Sequence, residues 1–388
     1  MPLIKRKINH ISKNVNILYI SPLPPPYGGI SSWTENLIKK GLPYPFKAHT
    51  VNTRLIDRIL FDPPSLNFSE IKRNINILWE LLKIIRKQKI DLIHLNSSLA
   101  RLGIFRDWLC IIISRIYRIP YVMHLRIDVQ AISKKAITFN EKPFLYQNMF
   151  RGAGAIIVLN NQSKETVLSL GDFGNKTFYL PNFVDTASIP TKKISINEGR
   201  YLNAIFVGAL TESKGIYRLL KILQKMSNLK IIFIGQPTRG VHEKIQRLVR
   251  EYNISERVIL KGPLSNKETI YLMSQSDFFV FPTTHEEGFP VSVAEAMAVG
   301  LPVIASPAGA IPDMIENGKG GYIIDAENIK EYVKVINIFE RNRELLLQMG
   351  KHNQEKAKTH YDYPIVIDRL CELYKTVLGF DLIRSKRT

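Results

Sequence analysis

Short apolar runs recur along this chain, each followed by a longer stretch with helical periodicity, and that alternation constrains the fold more than any other feature. In the first half the runs are NILYIS (16–21), DLIHLN (91–96), PYVMHL (120–125) and GAIIVLN (154–160). Between them lie ISSWTENLIKKGL, EIKRNINILWELLKIIRKQ and IFRDWLCIIISRIYR, whose apolar positions repeat at helical spacing. Runs this uniformly apolar are buried on both faces, and strands separated by helices join in parallel. The pattern predicts a parallel sheet with helices on both sides. A second series follows: NAIFVGAL (203–210), LKIIFIG (229–235), VILKG (258–262), DFFVFP (277–282), PVIAS (302–306) and GGYIID (320–325). The 388 residues therefore read as two doubly wound domains. They join within the polar, patternless 181–200, and we place the domains at 1–185 and 186–360. In the remaining 361–388, YDYPIVIDRLCELYKTVLGF is one amphipathic helix, expected to cross back to the first domain.

Composition removes several classes. No uncharged apolar run reaches the roughly 18 residues that a spanning helix needs; the nearest candidate, around Trp108 to Tyr117, is broken by Arg115. MPLIKRKINHISK carries charge without an apolar core, so no secretory signal is expected in it. The two cysteines, Cys110 and Cys371, sit among apolar neighbours and read as reduced core residues of a cytoplasmic protein. Net charge is +20, of which 1–180 hold about +15. Such a surface attracts nucleic acid, anionic lipid or phosphate-bearing substrates, or simply keeps the chain soluble. Zinc-finger spacing, an RNA-recognition octamer and the aromatic runs of single-strand binders are all missing. We therefore expect an anionic membrane surface or an anionic acceptor, and no nucleic acid.

In open α/β sheets ligands bind beyond the carboxyl ends of the strands, and two such domains facing each other would make a cleft. Three strand exits carry chemistry. SPLPPPYGGISSWTENLI follows the first strand. Gly28 and Gly29 let the backbone approach a ligand, and a helix starting near Ile30 turns its N–H groups toward it. This suits a diphosphate, although a Gly-Gly pair by itself signals only a turn. Neither G-x-G-x-x-G nor a P-loop lysine is present. FVGALTESKGIYRLLKIL opens the second domain and sets Lys214 ahead of Gly215 and a helix. A lysine there meets a phosphate as a point charge, or stands solvated as most lysines do. In THEEGFPVSVAEAMAVGLPVIAS, a loop carrying Glu287 leads into a helix carrying Glu295 and stopped by Gly300. Eight positions of helical rise separate the acids by about 12 Å, which suits one carboxylate at each end of an extended ligand. The N–H groups of Gly288, Phe289 and Val291 would face that ligand, whereas Pro290 has none to give. The plain alternative is a pair of surface acids, but Ala294, Ala296, Met297 and Ala298 surround Glu295 with residues suited to close packing.

This stretch closely resembles the signature of retaining GT-B glycosyltransferases, of the glycosyltransferase family 4 or glycosyl transferases group 1 type: Glu, seven residues, Glu, then Ala-Met-Ala-x-Gly-x-Pro-Val. The Gly-Gly loop, PNFVD, VGALTESKG, LKIIFIG and IPDMIENGKGGYIID fall in the family's order, so the resemblance covers nearly the whole chain. It implies a GT-B fold of two Rossmann-like domains facing across a cleft, the first for the acceptor and the second for the donor. The implied donor is a nucleoside diphosphate sugar. Glu295 would take its ribose hydroxyls, Glu287 its sugar hydroxyls and Lys214 the departing diphosphate, with Gly28 and Gly29 completing the pocket. Similar transferases place a histidine at a strand end near the sugar. His124 in PYVMHLRID matches it, and His94 in DLIHLN competes for the role. One departure matters. Gly208-Ala209-Leu210 stands where the family often has Gly-Arg-Leu, so the usual companion of the lysine is missing and Arg126, Arg218 or another cation would have to replace it. Gly288-Phe289-Pro290 likewise replaces the commoner Gly-Phe-Gly.

The implied reaction is a hexosyl-type transfer to an acceptor hydroxyl with the anomeric configuration retained, in bacterial polysaccharide or glycolipid synthesis. No metal or other cofactor is expected, because the Asp-x-Asp pair of metal-dependent transferases is missing. EIKRNINILWELLKIIRKQK mixes Ile, Leu and Trp79 with lysines and arginines. That suits a helix lying on an anionic membrane and equally an ordinary covering helix. A carbohydrate or lipid-linked sugar on the cytoplasmic leaflet is the expected acceptor. Two other functions compete: a nucleotide-sugar epimerase of the same shape, and a basic nucleic-acid-binding α/β protein, which would leave both glutamates unexplained.

Overall fold

The computed structural model describes residues 14–25, 28–54, 68–99, 103–129, 143–190, 201–238 and 240–380. MPLIKRKINHISK and positions 191–200 of the expected join lie outside the described residues. The chain divides into two compact units, one running to Pro181 and resumed from Val366, the other spanning Asn182–Ile365.

In the first unit, strands and helices alternate as β1 (Val15–Ser21), α1 (Gly29–Lys40), β2 (Phe46–Asn52), α2 (Phe68–Lys87), β3 (Leu92–Ser97), α3 (Gly103–Ile116), β4 (Tyr121–Leu125), α4 (Pro143–Gly152), β5 (Ala155–Val158), α5 (Asn161–Ser169) and β6 (Thr177–Tyr179). Every pairing is parallel, in the order β2-β1-β3-β4-β5-β6. The chain steps outward from β1 to β2 and then returns past β1 to β3, so the topological switch lies between β1 and β3. Ile17, Leu18, Leu92, Val122 and Ile156 are fully or almost fully buried, as strands covered on both faces require.

The second unit repeats the plan with β7 (Leu202–Val207), α6 (Ile216–Lys225), β8 (Leu229–Ile234), α7 (Val241–Glu251), β9 (Val258–Gly262), α8 (Asn266–Ser274), β10 (Phe278–Phe281), α9 (Val291–Val299), β11 (Val303–Ala305), α10 (Ile311–Met314), β12 (Gly321–Ile323), α11 (Ile329–Arg341) and α12 (Arg343–Lys356). Its order, β12-β11-β10-β7-β8-β9, places the switch between β7 and β10. Phe206, Phe233, Phe278, Phe279 and Phe281 fill the sheet faces. The last helix, α13 (Tyr363–Leu378), starts in this unit, and from Val366 it packs with the first. Its Tyr374 is fully buried and bonds Tyr19 of β1, hydroxyl to hydroxyl, at 2.7 Å. The architecture is GT-B: two Rossmann-like units and a C-terminal helix that rejoins the first.

Two strands escape the sequence pattern. In β2, FKAHTVN, only Phe46 and Val51 are buried, because an edge strand keeps wet positions. The other outer strand of that sheet, β6, is three residues long. Both cysteines are buried and free, and burial pushes each thiol up to about 12.

Candidate active site

The switch point of the second unit brings together the exits of β7 and β10. Gly215 adopts a left-handed φ of +92°, and a Cβ there would run into the backbone carbonyl of Pro282. Glycine is thus what lets the two exits touch. The contact is reinforced where Thr284 N–H and His285 N–H donate to the Ser213 carbonyl at 2.7 and 3.2 Å. Lys214 is thereby set beside Glu287, and its Nζ pairs with Oε1 of that carboxylate. Thr283 Oγ1 donates to the same oxygen at 3.3 Å. Glu287 is only 7 % exposed, so the pair meets the condition that a buried charge be matched. The Lys214 ammonium also lies 5.3 Å from the Phe281 ring centroid.

From Glu287 the chain enters α9. Phe289 is buried, stacks edge-on against Tyr361 at 5.3 Å, and its carbonyl accepts from Asn182 Nδ2 at 3.2 Å. Pro290 is the N-cap and Val291 the first helical residue, with no side chain capping the end. Such a terminus favours negative charge. Glu295, one turn further in, is half-buried, and Asn266 Nδ2 donates to its Oε1 at 2.6 Å. Desolvation pushes the Glu295 carboxyl up to about 7 and the Asn266 bond opposes that rise.

In the first unit, one face of the sheet is polar where apolar residues are the rule. Tyr19 pairs in register with His94, and Asn96 with His124. All four are buried. Arg126, just past β4, points its Nη1 at His124 Nε2 at 3.1 Å. A guanidinium can only donate, so that nitrogen accepts and the His124 proton is on Nδ1. Nδ1 then donates to His94 Nε2 at 3.2 Å, and His94 Nδ1 to the Tyr374 hydroxyl at 2.7 Å. The Tyr374 hydroxyl in turn bonds that of Tyr19. Burial, followed by the charge of Arg126, drives the His94 ring down to about 3 and holds His124 well below the ordinary histidine range. Both rings are neutral at pH 7. Gly28 caps α1 in extended conformation, its N–H donating to Ser31 Oγ at 3.0 Å, and among the described residues a Cβ on Gly29 would meet no atom within 4 Å beyond its chain neighbours and its own helix.

Residues 190–356 match the family described as Glycosyl transferases group 1. The second unit is a group 1 glycosyl transferase domain. Among curated relatives, Spore coat protein SA of Bacillus subtilis is 31 % identical over 180 residues, which is 44 % of this chain and 48 % of that protein. The chain thus spans about half the length of that relative. A glycosyltransferase of Methanocaldococcus jannaschii is 25 % identical over 89 % of this chain and 93 % of its own length. The capsular polysaccharide biosynthesis glycosyltransferase CapM of Staphylococcus aureus is 24 % identical over 80 % and 82 %. Among solved structures, sucrose-phosphate synthase of Thermosynechococcus elongatus superposes with a TM-score of 0.74 at 17 % identity, covering 94 % of this chain and all of that one. Anabaena HepE, solved with UDP and glucose, gives 0.72 at 17 % identity over 94 % and 100 %.

Within the matched region, Lys214 and Glu287 touch each other, while Glu295 is held by Asn266. Gly288 and Phe289 lead into α9, and Val291 is its first residue. His94 and His124, competitors in the sequence, are wired in one network. Arg218 is engaged by Glu327 and the Glu212 carbonyl. Apolar patterning and the motif do not single out Asn182, Asn266, Thr283 or Tyr374. The S-N-K-E capping box that starts α8 was a legible signal for Asn266, and PNFVD contained Asn182.

Proposed function

We propose that this glycosyltransferase moves a sugar from a nucleoside diphosphate sugar to an acceptor hydroxyl with retention, in the synthesis of a polysaccharide or glycolipid. The Lys214–Glu287 pair at the switch point of the second unit carries this reading. A diphosphate arriving there offers Lys214 a second, more highly charged partner. As the ammonium turns to the phosphates, Glu287 is released to accept hydrogen bonds from sugar hydroxyls, so the site exchanges one ion pair for another instead of exposing a bare charge. The chief barrier is the separation of an oxocarbenium-like sugar from its leaving diphosphate. Lys214 and the first-turn N–H groups of α9, with those of Gly288 and Phe289, stabilise the departing oxygens before the reaction begins. Glu295 accepts from the ribose. The acceptor attacks from the face that the diphosphate leaves, and no metal is assigned a step. The names of CapM, a capsular polysaccharide enzyme, and of HepE, bound to UDP and glucose, agree with this chemistry.

The acceptor belongs to the basic first unit. On α2, Ile71, Ile75 and Trp79 are 51, 59 and 65 % exposed at four-residue spacing, with exposed Lys72, Lys83 and Arg86 on the same helical face. An apolar stripe flanked by cations suits an anionic lipid surface and a lipid-linked sugar presented there. Among the described residues no helix is long and apolar enough to cross a membrane.

A panel of UDP-, GDP- and ADP-sugars, followed by calorimetry and by NMR of the product anomer, tests the reading. Binding of one donor and a product of unchanged anomeric configuration are expected. A chain that binds no nucleotide sugar, or an E287Q variant with undiminished turnover, would sink it.

A further inference from the structure

We infer that Arg126 is the base of an anion-binding site in the first unit, taking a phosphate or diphosphate ester. The two buried arginines of the described residues differ in one respect. Arg106 lies against a carboxylate, its Nε and Nη2 bonding Asp107 Oδ1 at 3.0 and 2.6 Å. Arg126 is 7 % exposed and pairs with no carboxylate among the described residues. Its guanidinium carbon stands 4.5 Å over the Trp33 ring, its Nη1 is used by His124, and its buried Nε has no hydrogen-bond partner.

A buried cation left without a counter-charge, and with a donor unused, is costly. The groups behind it add no negative charge, since both histidines are neutral. Burial lowers the Arg126 guanidinium only to about 9, so it is charged at neutral pH. Its position fits a ligand: it directly follows β4, on the carboxyl edge of the sheet where α/β ligands bind. In the adjacent strand Asn96, in register with His124, leaves its Oδ1 buried without a partner. One unused donor of fixed charge and one unused acceptor together suit an ester that carries both phosphate and hydroxyl. The planar fork of arginine matches phosphate oxygens. The His124–His94–Tyr374 chain holds Arg126 from behind and thereby positions it.

This site deepens the reading above and rests on it only for where the phosphate comes from: the donor's diphosphate, or the phosphate of a lipid-linked acceptor. The test titrates inorganic pyrophosphate, UDP and geranyl diphosphate into the whole chain at constant ionic strength, with R126Q and R126K each made in the K214Q background. R126Q is expected to weaken pyrophosphate by about 10- to 100-fold, the effect of losing one charge-assisted hydrogen bond, and R126K to restore part of it. A loss confined to geranyl diphosphate assigns the acceptor as source, and a loss confined to UDP assigns the donor. In the nitrogen-15-labelled wild-type chain the Arg126 Nε–H resonance should move on adding pyrophosphate, a readout that needs no variant to fold. An unmoved resonance at saturation, unchanged affinities in R126Q, or no anion binding at all overturns the site. Loss of sugar transfer with the Nε–H response intact would instead overturn the transferase reading and leave the site standing.

Discussion

Gly309 lies so close to Glu287 that a Cβ on the glycine would fall inside the carbonyl oxygen of the acid, and its φ of +53° is one that side chains seldom adopt. The neighbouring Ala310 N–H donates to that same carbonyl at 3.2 Å. The loop after β11 thus sets the height of the Glu287 backbone. G309A should cost about 1–3 kcal/mol through overpacking and backbone strain, seen as a lower urea midpoint. It should also weaken donor binding, because Glu287 must move. An unchanged midpoint would show that the loops yield without cost.

Breaking the Lys214–Glu287 pair is asymmetric. K214M leaves Glu287 buried with the Thr283 hydroxyl as its remaining partner in the pair's surroundings. It should cost up to about 3 kcal/mol, the low end for a buried pair because the Lys214 side chain keeps some solvent. E287Q keeps the shape and removes the charge, so it should be milder in stability and severe in turnover. The double variant should recover much of the K214M loss, and a double-mutant cycle in urea measures that coupling. Strict additivity would mean the two groups do not interact in solution.

Ten of the twelve strands among the described residues were legible because buried parallel strands write themselves as apolar runs, and β2 and β6 were not because outer strands need no such run. The motif pointed to Lys214, Glu287 and Glu295 individually. It did not show that the first two pair, since 73 residues separate them and only the approach of Gly215 to Pro282 joins their loops. The histidines show the same limit. Whether they compete or cooperate depends on the register that sets Asn96 beside His124 and leaves His94 on the diagonal, and spacing carries no register between strands. Tyr374 was invisible for the same reason: amphipathic periodicity told that its helix packs, and not that a hydroxyl would meet His94.

If Glu295 holds the ribose as proposed, donor binding should depend on pH. Its folded value of about 7 lies above the 4.5 of an ordinary glutamate, so between those values the folded chain holds a proton that the unfolded chain has released. Its contribution therefore lowers stability as pH rises through 4.5 to 7. E295Q should flatten that slope, by less than about 3 kcal/mol in all because the side chain is half-buried. On the proposed reading ribose hydroxyls would donate to the ionised form, so donor affinity should climb as pH rises toward 7 and then level off. Calorimetry at pH 5.5 and pH 8 should differ on the order of 10-fold or more. E295Q should bind weakly at both, and a wild-type affinity flat across that range would remove Glu295 from the ribose.

If the stripe on α2 docks on a membrane as proposed, its substitution should separate docking from catalysis. Ile71, Ile75 and Trp79 are exposed, so W79S should leave the melting temperature nearly unchanged, as surface substitutions do, while reducing sedimentation with phosphatidylglycerol vesicles. Neutralising Lys72, Lys83 and Arg86 together should weaken vesicle binding on the order of 100-fold, at about 1 kcal/mol for each charge near an anionic surface. High salt should do the same to the wild type, because these exposed cations are screened within a Debye length. Phosphatidylcholine vesicles should not pellet the chain in either case. With a water-soluble acceptor, turnover of both variants should match the wild type, since no residue of the stripe lies among those proposed to hold the donor. A wild-type chain that stays in the supernatant with anionic vesicles at low salt would take the membrane out of the reaction and leave the acceptor a soluble carbohydrate.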